Sequence, residues 1–246
     1  MKPLDGKTAF VTGGSKGIGA AIAQRLAQDG ADVAFTYNSS PEQAGQVAEL
    51  IKQEGRRGVA IKADLTDPAA VTAAVEETAA EFGRLDILVH NAGVYTYGTI
   101  DELTLDDYEH TMAIHVRAAF LAVQAAVRHM PDGGRIIAIG SNLADRVVEP
   151  GISLYALSKA ALVGFARGIA HDLGPRGITA VVVQPGSTDT DMNPADSPGA
   201  DAQRAITPLK RFAAPAEIAA TVAHLAGPAG AYITGTAITV DGGANA

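Results

Sequence analysis

The run Thr8-Ala9-Phe10-Val11-Thr12 empties directly into Gly13-Gly14-Ser15-Lys16-Gly17-Ile18-Gly19, and a segment of helical periodicity begins at once. Few arrangements accommodate a strand that turns so abruptly into a helix. Glycine permits the tight turn, lets the backbone approach a pyrophosphate, and aims the free N–H groups of a helix N-terminus at negative charge. Taken alone, such a turn is also read as a plain strand-to-helix corner. Its place after the first strand of a β-α-β unit points to dinucleotide binding.

The rest of the chain repeats that unit. Short β-branched runs over residues 8–12, 32–37, 58–62, 87–90, 135–139, 179–184 and 237–240 alternate with segments of 3.6-residue apolar periodicity starting near Gly17, Pro41, Pro68, Asp106, Leu154 and Pro215. Asp67 before Pro68 forms an N-cap signal, and Gly30 and Gly55 supply positive φ after the first two helices. The pattern predicts an α/β fold: one Rossmann-type, doubly wound sheet of seven mainly parallel strands with helices on both faces, in a single domain over residues 1–246. One long stretch, about 186–208, is rich in Pro, Asp, Ser and Thr and reads as irregular. It is either a mobile lid over a substrate site or a surface excursion.

Composition narrows the function. Apolar residues make up 47% of the chain and charged residues 19%, enough to bury a core. The formal charge of -8, without a basic stripe, disfavours nucleic acid polymers and anionic membrane surfaces as partners. There are no cysteines, hence no disulfide, thiolate metal site or cysteine nucleophile. His90, His110, His129, His171 and His224 share no ligand spacing on one element, so no metal is expected. The absence of a G-x-S-x-G elbow argues against the usual serine hydrolase. No apolar leader or spanning run is present, and a cytoplasmic protein is expected.

Strand two speaks to cofactor choice. An acid at its end would bond the ribose hydroxyls of NAD and repel the extra phosphate of NADP. Here the strand ends Tyr37-Asn38-Ser39-Ser40, with neutral donors, and Lys16 can supply positive charge. NADP(H) is expected ahead of NAD(H), although no arginine follows the strand and dual use stays open. Further along, Tyr155 and Lys159 stand four apart in a helical segment and share a face. A lysine cation held beside a tyrosine lowers the phenol pKa towards useful acid-base chemistry. Strand five ends at Gly140-Ser141, placing a hydroxyl at the carboxyl edge of the sheet, where ligands of such folds bind. Val94, Tyr95 and Tyr97 suggest a partly aromatic substrate wall.

These motifs, in this order, resemble the short-chain dehydrogenase/reductase family. The glycine spacing Gly13-x3-Gly17-x-Gly19, Asn91-Ala92-Gly93 after strand four, Ser141 with Tyr155-x3-Lys159, Pro185-Gly186 with Thr188 and Thr190 after strand six, and Asp241-Gly242-Gly243 all match. The resemblance implies cofactor contacts from Gly13, Ser15, Lys16, Gly17, Ile18, Gly19, Asn38, Ser39, Ser40, Asp64, Leu65, Asn91, Ala92, Gly93, Tyr155, Lys159, Pro185, Gly186, Thr188 and Thr190. It implies a catalytic Ser141, Tyr155 and Lys159 that reduce a small-molecule carbonyl or oxidise the alcohol, and a homotetramer or homodimer. Asp64 matches the family's adenine-contacting aspartate, the alternative being an acid that turns the chain after a strand. Ser141 lies fourteen positions before Tyr155, one more than in many members, so a register with Asn142 in the serine position stays open.

One position departs from the pattern. His115 stands where many members carry the asparagine that holds a water in a proton relay. It either supports that relay, titrating near neutrality, or is packed in its helix. The segments 174–179 and 189–194 also resemble a branch that includes a cyclic-di-GMP-binding regulator of biofilm dispersal, beside others similar to 3-oxoacyl-ACP reductases. A nucleotide-binding regulator with weak turnover is therefore the alternative function.

Overall fold

A computed structural model describes residues 2–246. Its seven strands are β1 (Thr8–Thr12), β2 (Asp32–Tyr37), β3 (Gly58–Lys62), β4 (Ile87–His90), β5 (Arg135–Ile139), β6 (Thr179–Pro185) and β7 (Thr236–Val240). They form one sheet in the order β3-β2-β1-β4-β5-β6-β7, and every neighbouring pair is parallel. The direction of winding reverses between β1 and β4, which opens a crevice at the carboxyl ends of these two strands.

Helices cover both faces, and the strands divide their side chains accordingly. Ala9 and Val11 of β1, Val33 and Phe35 of β2, and Val181 and Val183 of β6 pack with α1 (Gly17–Gln28), α2 (Pro41–Gln53) and α8 (Pro215–Ala226). Phe10, Ala34, Leu88 and Ile136 face the other way, against α3 (Pro68–Phe82) and α5 (Ala118–Ala126). Alternation of the two faces inside runs that are mostly apolar is what a sheet covered on both sides requires. Each large side chain buried this way contributes about 1.5–3 kcal/mol.

Local signals act where the sequence places them. The Asp67 carboxylate accepts from the N–H of Ala69 at 2.9 Å, with Pro68 opening α3. Gly30 and Gly55, at φ +111° and +73°, follow the ends of α1 and α2. Between β4 and β5, α4 (Leu105–Met112) starts on a reciprocal Thr104 and Asp107 capping box, one residue before the expected Asp106. It runs through a π-turn, Ala113–Arg117, into α5. Pattern reading gave one helix here and no sign of the extra residue in its middle.

The stretch 186–208 is not irregular throughout. It contains α7 (Ala200–Ile206), whose Gln203 accepts from Ser187 Oγ at 2.6 Å and exchanges two hydrogen bonds with Asn193, at 2.9 and 3.0 Å. Seven residues after Gly199 hold too little apolar periodicity to stand out, and a half-buried glutamine rather than an apolar stripe ties them down.

Candidate active site

The turn after β1 is fastened from three sides. The Gly13 N–H donates to Thr36 Oγ1 and the Gly14 N–H to the Thr36 carbonyl, both at 2.9 Å, tying the turn to β2. From β4, Asn91 Nδ2 donates to the carbonyls of Thr12 and Gly13 at 3.2 and 3.0 Å. Thr12 Oγ1 in turn accepts from the N–H groups of Asn91 and Ala92. A side chain has no room here: a Cβ on Gly19 would lie 2.1 Å from the Gly13 carbonyl, and one on Gly14 would lie 2.5 Å from Phe35. Thr190 comes across from the β6 loop to within 3.3 Å of the place a Cβ on Gly17 would take. The crevice is thus bounded by the β1 turn, Asn91-Ala92-Gly93 and the segment after Pro185.

The rim carries suitable groups for a dinucleotide phosphate. α1 has no side-chain cap, so the N–H groups of its first turn stay available, and Lys16 beside them is exposed. Asn38 and Ser39 are exposed and Ser40 half-buried at the end of β2, with no acid among them. Leu65 is buried. Asp64 closes an Asx turn, accepting from the N–H and hydroxyl of Thr66 at 2.9 and 2.8 Å, bonds that hold its carboxyl below the usual range. Gly186 lies against Asp241, where a Cβ would come to 2.7 Å, and Thr188 is buried with its hydroxyl donating to the Gly186 carbonyl. Cradle, donors and neutral-to-basic rim fit a phosphorylated dinucleotide.

At the other side of the crevice, α6 (Ser153–Leu173) presents Tyr155 and Lys159 towards the end of β5. Lys159 is buried, and its ammonium donates to the Ile139 carbonyl at 3.0 Å while lying 5.6 Å from the Tyr155 ring centroid. Burial lowers the lysine to about 8. Burial also raises Tyr155 to about 12, against a hydrogen bond from Ser141 that lowers it. The expected lowering of the phenol by the lysine therefore does not hold in this geometry: the ammonium is spent on a backbone carbonyl, and desolvation of a phenolate outweighs the rest.

Ser141, not Asn142, faces the Tyr155 hydroxyl. The Ser141 Oγ also accepts from the Leu143 N–H at 3.2 Å, which fixes the turn that carries it. Asn142 points away, towards Asp241 and Asn245. Next to Tyr155, the Tyr95 ring meets its ring edge-on at 5.1 Å and stacks with Tyr97 at 6.5 Å; Tyr95 and Tyr97 are exposed, and Val94 beside them is half-buried.

His115 lies in the π-turn and is fully buried. Its Nε2 accepts from the Val94 N–H at 2.9 Å, so Nδ1 carries the proton and donates to Ser158 Oγ at 2.8 Å. Ser158 passes its own hydrogen to the Tyr155 carbonyl, also at 2.8 Å. Both ring nitrogens have protein partners, which leaves neither to hold a relay water. Burial, reinforced by the Lys159 charge, depresses the imidazole to about 2, so the near-neutral titration expected of it does not occur. Ser158 escaped the sequence reading, although a serine directly before the lysine on the inward face of a helix was the available signal. His90, at the end of β4, is likewise kept neutral: burial lowers it to about 4, and Thr12 Oγ1 lies 3.2 Å from its Nδ1.

The family profile described as Enoyl-(Acyl carrier protein) reductase matches residues 13–245. A short chain dehydrogenase from Burkholderia cenocepacia J2315, solved in complex with NADP, superposes with a TM-score of 0.98 at 57% identity, over 99% of this chain and 100% of that one. The chain belongs to the short-chain dehydrogenase/reductase family. A blue fluorescent protein from a metagenomic library, solved in complex with NADPH, also superposes at 0.98, with 54% identity and full coverage of both chains. The cyclic-di-GMP-binding biofilm dispersal mediator protein of Escherichia coli (strain K12) is 45% identical over 98% of each chain. No group of three or more His, Asp or Glu side chains in this dehydrogenase/reductase is placed to hold a metal among the described residues. Nor is any described helix long and apolar enough to cross a membrane.

Proposed function

We propose that the protein is an NADP(H)-dependent oxidoreductase that reduces a ketone or aldehyde to an alcohol, or runs the reverse. The observation that carries this reading is the convergence of the Ser141 hydroxyl, the Tyr155 phenol and the buried Lys159 at the end of β5, across the crevice from the glycine turn. The cofactor assignment rests on Lys16, Asn38 and Ser39 at an acid-free rim and on the NADP and NADPH complexes of similar proteins.

When bound, the nicotinamide supplies the hydride. Ser141 holds the substrate oxygen through a hydrogen bond. Tyr155, with its pKa near 12, is fully protonated at neutral pH and is the group that gives the oxygen its proton. Lys159, its ammonium 5.6 Å from the phenol ring centroid, offsets part of the charge left on it. His115 acts on none of the reacting atoms; it braces α6 against the Val94 segment. Residues 186–208, including α7, are the substrate loop, and the reading includes a homo-oligomer.

The test is NADPH and NADH oxidation by purified protein over a panel of ketones, aldehydes, quinones and β-ketoacyl thioesters, with Tyr155→Phe alongside. Tyrosine-dependent NADPH consumption is expected. A second reading, a nucleotide-binding regulator, is favoured by the similarity to the biofilm dispersal mediator. Calorimetric titration with cyclic di-GMP tests it; binding at micromolar protein together with silence across the carbonyl panel would replace the first reading by the second.

A further inference from the structure

The segment after β7 folds back on the loop that carries Ser141. Gly242 and Gly243, at φ +64° and +88°, let the chain curl, and the Asp241 carboxylate pins the curl by accepting from the N–H groups of Gly243 and Asn245, both at 2.9 Å. The curl then delivers Asn245 to Asn142. Asn245 Nδ2 donates to the Asn142 carbonyl at 2.7 Å, and Asn142 Nδ2 faces Asn245 Oδ1 at 3.4 Å and Asp241 Oδ2 at 3.5 Å. The Asn142 carbonyl also takes the N–H groups of Asp145 and Arg146, so it is the knot of the 142–144 turn. Arg146 closes a second link, from Nη1 to the Ala244 carbonyl at 2.8 Å.

We infer that Asn245 is a positioning residue for the carbonyl-binding hydroxyl, acting through Asn142 on Ser141. This rests on the reading of Ser141 given above. Ser141 has extended backbone, φ -161° and ψ 148°, and its neighbour in the chain is the residue that Asn245 grips from two sides. Release of Asn142 frees the peptide that sets the direction of the Ser141 side chain. A displacement of about 1 Å at such a group costs up to about a hundredfold in rate. The Asn245 side chain bonds to neither the glycine turn, the end of β2 nor α6, and Asn245→Ala keeps the backbone N–H that holds Asp241 beside Gly186, so cofactor affinity is expected to stay nearly unchanged.

A double-mutant cycle separates this role from a general structural one. Asn245→Ala, Ser141→Ala and the double variant are compared with the wild type for kcat, carbonyl KM, NADPH Kd by fluorescence titration, and melting temperature. Asn245→Ala is expected to lower kcat about tenfold, one lost charge-neutral hydrogen bond in the transition state, with NADPH Kd unchanged within about twofold. In the Ser141→Ala background the same change is expected to cost almost nothing. Asn245→Gln, which keeps the amide, recovers part of the rate and carries the comparison should Asn245→Ala fail to fold. Additive losses, or an Asn245→Ala enzyme as fast as wild type, overturn the proposal while leaving Ser141 in place. Full activity in Ser141→Ala overturns the reading of the site itself.

Discussion

The imidazole Nδ1 of His115 lies 2.8 Å from Ser158 Oγ, and through that hydroxyl the π-turn is bonded to the main chain of Tyr155. The link ties the π-turn to the helix that carries Tyr155 and Lys159 without a bond to the phenol or the ammonium. A histidine held this way, its pKa pushed down to about 2 by burial, is neutral around physiological pH.

That neutrality has a stability consequence. His115 and His90 are depressed to about 2 and about 4 in the fold and recover the ordinary 6.5 when unfolded. The unfolded chain therefore binds more protons between those values and 6.5, and stability falls as pH drops through that window, by up to about 1.4 kcal/mol per pH unit for each group. Above 6.5 neither contributes a slope. Melting temperature measured from pH 7.5 to 4.5 is expected to fall less steeply in His115→Asn than in wild type; parallel slopes would contradict the burial of an uncharged ring.

Lys159 is expected to set the alkaline limit of activity. At about 8, the lysine loses its charge as pH rises past that value, while Tyr155 at about 12 keeps its proton. The kcat/KM for carbonyl reduction is expected to decline above pH 8. Lys159→Arg, which does not titrate there, should remove the limb at whatever residual rate it retains. A limb that persists in Lys159→Arg assigns it elsewhere. Tyr155→Phe should lose about 10²–10⁴-fold at all pH values.

Cofactor choice is expected to reverse at the end of β2. Asn38→Asp places a carboxylate at the exposed rim where an extra phosphate would lie, and should raise the NADPH KM at least about tenfold while improving NADH. Lys16→Ala should weaken NADPH and leave NADH nearly unchanged. Equal effects on both cofactors in steady-state kinetics would remove the rim from the discrimination.

Gly19→Ala tests the cradle. The added methyl would sit 2.1 Å from the Gly13 carbonyl and 2.4 Å from Asn91 Nδ2, so the turn must open. A loss of about 1–3 kcal/mol in denaturant unfolding, with cofactor binding weakened in step, is expected.

The alternation of strands and helices made the sheet legible, since a run such as Ala180–Val183, apolar at four successive positions, suits a strand covered on both faces. The glycine turn and the Tyr155, Lys159 pair were legible because their spacing follows from the period of one element. What escaped depends on contacts between elements. The tie that holds the residue after Ser141 comes from Asn245, about a hundred residues on. The role of His115 is decided by Val94 and Ser158, on two other segments. The position of the Lys159 ammonium depends on the Ile139 carbonyl, which no side-chain pattern announces.

The π-turn at Ala113–Arg117 acts as a phase correction. One additional residue in a turn rotates everything beyond it by about 100°. Before the turn, the helix follows the capping box at Thr104; after it, Ala118, Ala122 and Ala126 lie flat against the sheet and α3, while His115 reaches across to α6. Two neighbours that demand incompatible angular settings are both satisfied by one irregular turn. Deleting a single residue there would force the helix to choose between them, and insertions or deletions in this segment should be tolerated far less than substitutions at its exposed positions.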